Sequence, residues 1–234
     1  MYRGKRDPEA VRGLFDRIAL YYDKVNFLLS YGADQKWRQK AVKACQLKEG
    51  GSALDVACGT GKLTQLLKKE VGSSGEVVGV DFSPKMLEVA ASKLSDITFI
   101  EGDALNLPFE DNKFDAVTIA FGLRNLSDPE RGISEMLRVL KPEGRIVILE
   151  FVRPTGLFSS FLMTYLKNFV PWCGGLVSGD KSAYTYLGES IVDYMSESEM
   201  LTLMALSGAY RLYHETYMFG VVGLFSGCKP ISLR

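Results

Sequence analysis

Leu54-Asp55-Val56-Ala57-Cys58-Gly59-Thr60-Gly61 reads as a short apolar run ending in a glycine turn. Gly59 and Gly61 would let the backbone close on a ligand, and amides at the start of a following helix favour an anionic group. Two carboxylates strengthen the pattern. Asp81 ends a second apolar run 81 − 61 = 20 residues after Gly61, where an acidic side chain can accept both hydroxyls of a ribose. Asp103, in Glu101-Gly102-Asp103-Ala104, ends a third run and can accept the exocyclic amine of an adenine. Either aspartate alone could equally cap a helix or turn; with the glycine loop they describe a nucleoside site. The loop lacks the third glycine of a dinucleotide fingerprint, where Thr64 stands. It also fails as a P-loop, because Val56 replaces the first glycine and Leu63 follows Lys62.

Periodicity supplies the elements that must hold these residues. Runs 53–57, 77–80, 97–100, 116–120 and 146–149 are short, apolar and bounded by Gly, Asp or Asn, as buried parallel strands are. Helical spacing covers 62–70, 84–94 and 129–140, the last two opened by Pro84 and Pro129 behind the capping residues Ser83 and Asp128. This alternation predicts a doubly wound, Rossmann-like α/β sheet with its ligand at the carboxyl ends of the strands. Residues 7–46 read as helical, with Asp7 capping ahead of Pro8. After Glu150 a mainly helical, aromatic-rich stretch leads to runs 210–218 and 221–228, which predict an antiparallel hairpin turning near Phe219-Gly220 and closing one sheet edge. The expectation is one domain around a mostly parallel seven-stranded sheet. Its parts are a helical lid (1–46), a cofactor-binding core (47–152), a helical substrate cap (153–208) and a C-terminal hairpin (209–234).

The 28 basic and 28 acidic side chains cancel, and the 47% hydrophobic content excludes a disordered chain. Balanced charge argues against a nucleic-acid partner. Cys45, Cys58, Cys173 and Cys228 form no CxxC and His214 is the sole histidine, so neither a metal site nor a disulfide framework is expected, and a cytoplasmic setting is. The N-terminal basic residues precede no apolar stretch and do not read as a secretory signal. Residues 156–177 are apolar but contain Lys167 and Pro171, which suits a core helix, or a substrate cap touching the inner face of a membrane, better than a span. With zero net charge such a contact is expected to depend little on salt.

Together with Leu140-Lys141-Pro142-Glu143-Gly144-Arg145, these motifs resemble class I S-adenosylmethionine-dependent methyltransferases. Tyr22-Asp23-Lys24-Val25-Asn26 followed by Ser30, Gly32 and Trp37, then Phe121-Gly122-Leu123-Arg124-Asn125, then the segment from Ser182 to Ile191, resemble the ubiquinone/menaquinone biosynthesis C-methyltransferases in their order along the chain. Asp34, Ala120, Glu143 and Phe225 depart from that pattern; Asp34 and Phe225 bear on substrate handling. The resemblance implies C-methylation of a prenylated quinol, demethylmenaquinol or a ubiquinone precursor, with S-adenosylmethionine as donor, S-adenosylhomocysteine as product and no metal. A homodimer is compatible with it. The alternatives are another small hydrophobic acceptor, an NAD-dependent oxidoreductase and a noncatalytic S-adenosylmethionine-binding protein.

The candidate cofactor residues are Tyr22, Asp55, Gly59, Thr60, Gly61, Asp81, Phe82, Gly102, Asp103, Ala104, Ala120 and Phe121; the catalytic candidates are Arg124, Asn125 and Tyr22. The resemblance places Arg124 in proton handling. A guanidinium is too basic to take a proton, so Arg124 would hold a phenolate or a water, its structural alternative being an ion pair with Asp128. Tyr22 and Asp23 would close over the cofactor as part of a lid. His214 lies outside the matched motifs and reads as a surface or packing residue.

Overall fold

The apolar runs do pair into one sheet. In the computed structural model, which describes residues 7–155 and 181–231 together with Ser159, Met163, Thr164 and Asn168, the strands are β1 (Ser52–Val56), β2 (Glu76–Asp81), β3 (Thr98–Glu101), β4 (Phe114–Ala120), β5 (Leu140–Phe151), β6 (Tyr210–Tyr217) and β7 (Val222–Cys228). Their order is β3-β2-β1-β4-β5-β7-β6, with β1 to β5 mutually parallel and β7 antiparallel to both β5 and β6. The chain reverses direction across the sheet between β1 and β4, the switch point at which such sheets hold ligands. The predicted hairpin is present, and its second strand is the inner one. β7 (Val-Gly-Leu-Phe-Ser-Gly-Cys) is buried throughout, whereas β6 alternates exposed and half-buried residues, as an edge strand should.

The helices are α1 (Pro8–Leu29), α2 (Ala33–Ala44), α3 (Lys62–Val71), α4 (Pro84–Lys93), α5 (Pro129–Val139), α6 (Lys181–Val192) and α7 (Glu197–Leu206). The expected caps form: Asp7 accepts from the Glu9 amide, Ser83 from that of Met86 and Asp128 from that of Arg131. The helical stretch 7–46 is broken at Gly32, whose φ of +74° suits glycine and lets α2 turn away from α1. Strand alternation divides the core. Leu54, Val56, Val117 and Ile119 pack toward α5 and α7, while Ala53 and Ala116 pack toward α2 and α3. Apart from Ser159, Met163, Thr164 and Asn168, the apolar segment 156–177 lies outside the described residues. No described helix is long and apolar enough to cross a membrane.

Candidate active site

A cavity of about 140 Å³ opens at the carboxyl ends of β1, β2 and β4 beneath α1. Tyr22, Gly59, Asp81, Phe82, Gly102, Asp103, Ala104, Ala120, Phe121 and Asn125 all line it. Pro8, Val11, Arg12 and Phe15, which belong to the expected lid but were not among the candidate residues, line it from the inner face of α1.

Asp81 organises one wall. Its Oδ2 accepts the Gly59 amide at 2.7 Å and its Oδ1 the Ser83 amide at 2.8 Å, tying the glycine loop to the start of α4. A carboxylate has about four lone-pair sites, so acceptor capacity remains for hydroxyl groups. Burial raises its pKa, partly offset by these amides, so a donor from a ligand would favour the ionised form. Asp103 is exposed at the rim, where its Oδ1 accepts the Leu105 amide at 2.8 Å. It therefore caps a turn and faces the cavity at once.

Three of the other candidates sit behind the wall. Asp55 is buried on the α3 side of β1, its carboxylate accepting the hydroxyls of Thr64 at 2.7 Å and Thr118 at 2.8 Å. It is absent from the lining because strand alternation turns it to the sheet face, and desolvation pushes its pKa up to about 6. Thr60 donates to Asp23 Oδ1 at 2.6 Å and so fastens the glycine loop to α1. Gly61 has φ +80°, and a Cβ there would come within 2.8 Å of Leu94, so its glycine serves helix packing.

The opposite wall depends on distant partners. Ala57 and Phe121, at the ends of β1 and β4, both have positive φ (50° and 60°), and a Cβ on Gly122 would meet that of Ala57 at 2.5 Å. Strained backbone of this kind is costly and clusters at functional sites. Arg124 follows, 2% exposed and outside the lining; its Nη1 donates to Glu150 Oε1 at 2.7 Å and to the Phe121 carbonyl at 2.5 Å, and its Nε to Ser190 Oγ at 3.3 Å. The expected ion-pair alternative with Asp128 is corrected. Asp128 caps α5, while parallel pairing of β4 with β5 brings Glu150 to Arg124. Asn125 does face the cavity, and its Oδ1 accepts the Tyr186 hydroxyl at 3.0 Å. Tyr186 lay within a matched segment but was no candidate; only the tertiary fold carries α6 to it.

Charged residues on the inner side of α1 hold it over the site. Asp16 accepts the Ser83 hydroxyl at 2.6 Å, Asp23 pairs with Lys93 at 3.1 Å, and Arg12 pairs with Glu101 at 3.1 Å. Of the departures from the family pattern, Asp34 is buried beside Lys62 (3.7 Å) and Arg38 (3.8 Å) where α1 meets α2. Phe225 is fully buried in the middle of β7 between Ile148 and His214, so it packs the sheet rather than contacting the cavity. His214 is a surface residue paired with Glu197 at 2.6 Å.

Residues 3–229 match the model of the ubiE/COQ5 methyltransferase family. The chain belongs to that family. It is 45% identical over 229 residues to the demethylmenaquinone methyltransferase of Thermotoga maritima, covering 96% of this chain and 97% of that protein. It is 42% identical over 238 residues to a ubiquinone/menaquinone biosynthesis C-methyltransferase of Geobacter sulfurreducens, covering 99% and 93%. A crystal structure of an S-adenosylmethionine-dependent methyltransferase from Thermotoga maritima shares the fold, with TM-score 0.66 and 21% identity over 93% of this chain and 99% of that one. The protein is an S-adenosylmethionine-dependent methyltransferase. Its residues fit that cofactor: a Cβ added at Gly59 would meet no atom within 4 Å, leaving room against the loop, and Asp81 and Asp103 present carboxylates on the same side.

Proposed function

We propose that this methyltransferase methylates a ring carbon of a prenylated hydroquinone, with demethylmenaquinol as acceptor and a ubiquinone precursor as the second substrate in line. The observation that supports it most is the composition of the cavity, which carries Arg12, Asp81, Ser83 and Asp103 on one side, Asn125 and Ser127 on the other, and Val11, Phe15, Tyr22, Phe121 and Leu126 among its apolar walls. Bound in this cavity, S-adenosylmethionine supplies an electrophilic methyl group for in-line displacement. Asp81 would accept the ribose hydroxyls and Asp103 the adenine amine, and Phe82 and Ala104 would flank the base. Tyr22, held by α1, closes the side toward solvent and keeps the reaction dry.

A phenol has a pKa of about 10, so the acceptor must be pushed toward its phenolate before the ring carbon attacks. Asn125 does this from the cavity wall. Tyr186 occupies its carbonyl oxygen, which orients the amide and leaves an Nδ2–H for the ring oxygen; a donor to the anion favours deprotonation. Arg124 is a positioning residue in this account: paired with Glu150, it fixes the Phe121 carbonyl and the turn that carries Asn125. The hydroxyl proton leaves to solvent. After the carbon–carbon bond forms, the ring C–H proton moves to that oxygen and aromaticity returns, so each turnover releases one proton. Mass spectrometry of quinones from a strain lacking the gene tests the reading. Accumulation of a demethyl precursor, restored by the gene, is expected; an unchanged quinone pool would overturn it.

A further inference from the structure

α1 is apolar on two sides. Ile18, Ala19 and Val25 are buried against Met86 on α4, with Leu14, Phe15 and Tyr22 packed beside them. On the outward side Leu20 is 80% exposed, Tyr21 48%, Phe27 55% and Leu28 50%, and Tyr31 in the turn that follows is 86% exposed. At helical spacing Arg17, Leu20, Tyr21, Lys24, Phe27 and Leu28 make one stripe, so the two cations lie among the apolar residues. A helix that is apolar on both faces has a second face to cover.

Charge around this stripe is segregated. Between residues 17 and 40 the exposed charged side chains are Arg17, Lys24, Lys36 and Lys40, all basic, with Lys40 paired to Glu215 at 2.8 Å. The three acidic side chains at or beside this stretch are turned inward: Asp16 to Ser83, Asp23 to Thr60 and Lys93, and Asp34 to Lys62. A second exposed apolar point, Phe219 (86%) with Met218, lies in the turn between β6 and β7. Because β6 runs parallel to β1 through β5, that turn is at the carboxyl end of the sheet, where the cavity opens.

We infer that the outer face of α1, with the turn at Phe219, docks on an anionic lipid bilayer and sets the cavity mouth against the membrane surface. Exposed aromatic and leucyl side chains enter the interfacial region while Arg17 and Lys24 reach past them to headgroups, the arrangement of an amphipathic helix lying in the membrane plane. The inference deepens the prenylated-substrate reading, since a lipid tail leaving the cavity would emerge beside this face. It also changes the salt expectation drawn from net charge: zero overall charge hides a basic face, so binding should be salt-sensitive.

The test is co-sedimentation of the full chain with vesicles of phosphatidylcholine alone or with about one-third phosphatidylglycerol. The parent should bind the anionic vesicles at least about tenfold better, and lose most of that binding between about 50 and about 500 mM salt. L20E/F27E should cut partitioning at least about tenfold, and K24E/K36E several-fold with a flatter salt dependence. Both should keep the parent's S-adenosylhomocysteine affinity and its turnover of a quinol with a truncated tail, which shows that they fold. A parent that ignores both vesicles, or an L20E/F27E variant that binds like the parent, overturns the inference. So does a dimer that L20E/F27E dissociates while vesicle binding is absent, because a second copy would then own the face. Vesicle binding without methylation of any prenylated quinol would keep the docking surface and remove the substrate reading.

Discussion

On one side of the cavity Asp81 is held by the amides of Gly59 and Ser83, groups of its own strand end and of the loop after the neighbouring strand. On the other, Arg124 depends on Glu150 and Ser190, 26 and 66 residues further along the chain. The first wall is assembled from backbone groups that the parallel sheet presents anyway. The second is a buried ion pair whose support comes from β5 and α6. Loss of the Asp81 carboxylate would leave two backbone amides to find another acceptor, whereas a buried ion pair loses both charge balance and shape when one partner goes. Binding and folding should therefore be less entangled on the first wall than on the second.

The largest expected effect breaks the second wall. Glu150→Ala leaves the Arg124 guanidinium buried without its carboxylate and should cost about 3–5 kcal/mol in urea denaturation. Arg124→Met/Glu150→Met should recover much of that stability, yet turn over about 10²-fold more slowly with cofactor affinity little changed, because the turn carrying Asn125 is misplaced. A folded double variant with near-normal turnover would make the pair structural only.

Asp55 and Asp81 sharpen the contrast, being the same residue type at the ends of adjacent strands. Raised to about 6, the Asp55 pKa lies above its unfolded value, so the native state binds the extra proton and this stability is lost as pH rises through about 6. Asp55→Asn should then gain on the parent as pH goes from 4 to 7, by at most about 3 kcal/mol, with unchanged S-adenosylhomocysteine affinity. A constant difference across that range would contradict the assignment. Asp81→Ala, in contrast, should weaken S-adenosylhomocysteine by about 1.5–3 kcal/mol in calorimetry while altering stability less. The smallest effect concerns the lid. Asp23→Asn should change stability by about 1 kcal/mol or less, yet speed S-adenosylhomocysteine release in stopped flow; an unchanged off-rate would make α1 a fixed wall.

The same division decides what could be read from the sequence. Gly59, Asp81 and Asp103 stand at strand-to-turn boundaries, and local pattern alone places such boundaries on one edge of a parallel sheet. Asp55 belongs to the same motif but lies one residue before Val56, and period-two alternation sends it to the sheet face, so motif membership overstated its role. Arg124 was matched with a nearby acid, Asp128, because the sequence shows proximity along the chain and not the β4–β5 register that delivers Glu150. Tyr186 needed α6 to be docked. The inner position of β7 was latent in its unbroken run of apolar and small residues, against the alternating pattern of β6.

The central claim is that the two walls serve one reaction, cofactor on the first and quinol on the second. Purified enzyme, reduced demethylmenaquinone and S-adenosylmethionine, mixed without oxygen and analysed by tandem mass spectrometry, test it directly. The account predicts a product carrying the new methyl on a ring carbon, formed with one equivalent of S-adenosylhomocysteine and lost in Asn125→Ala. A methyl on oxygen, or no transfer by an enzyme that still binds S-adenosylhomocysteine, would contradict it.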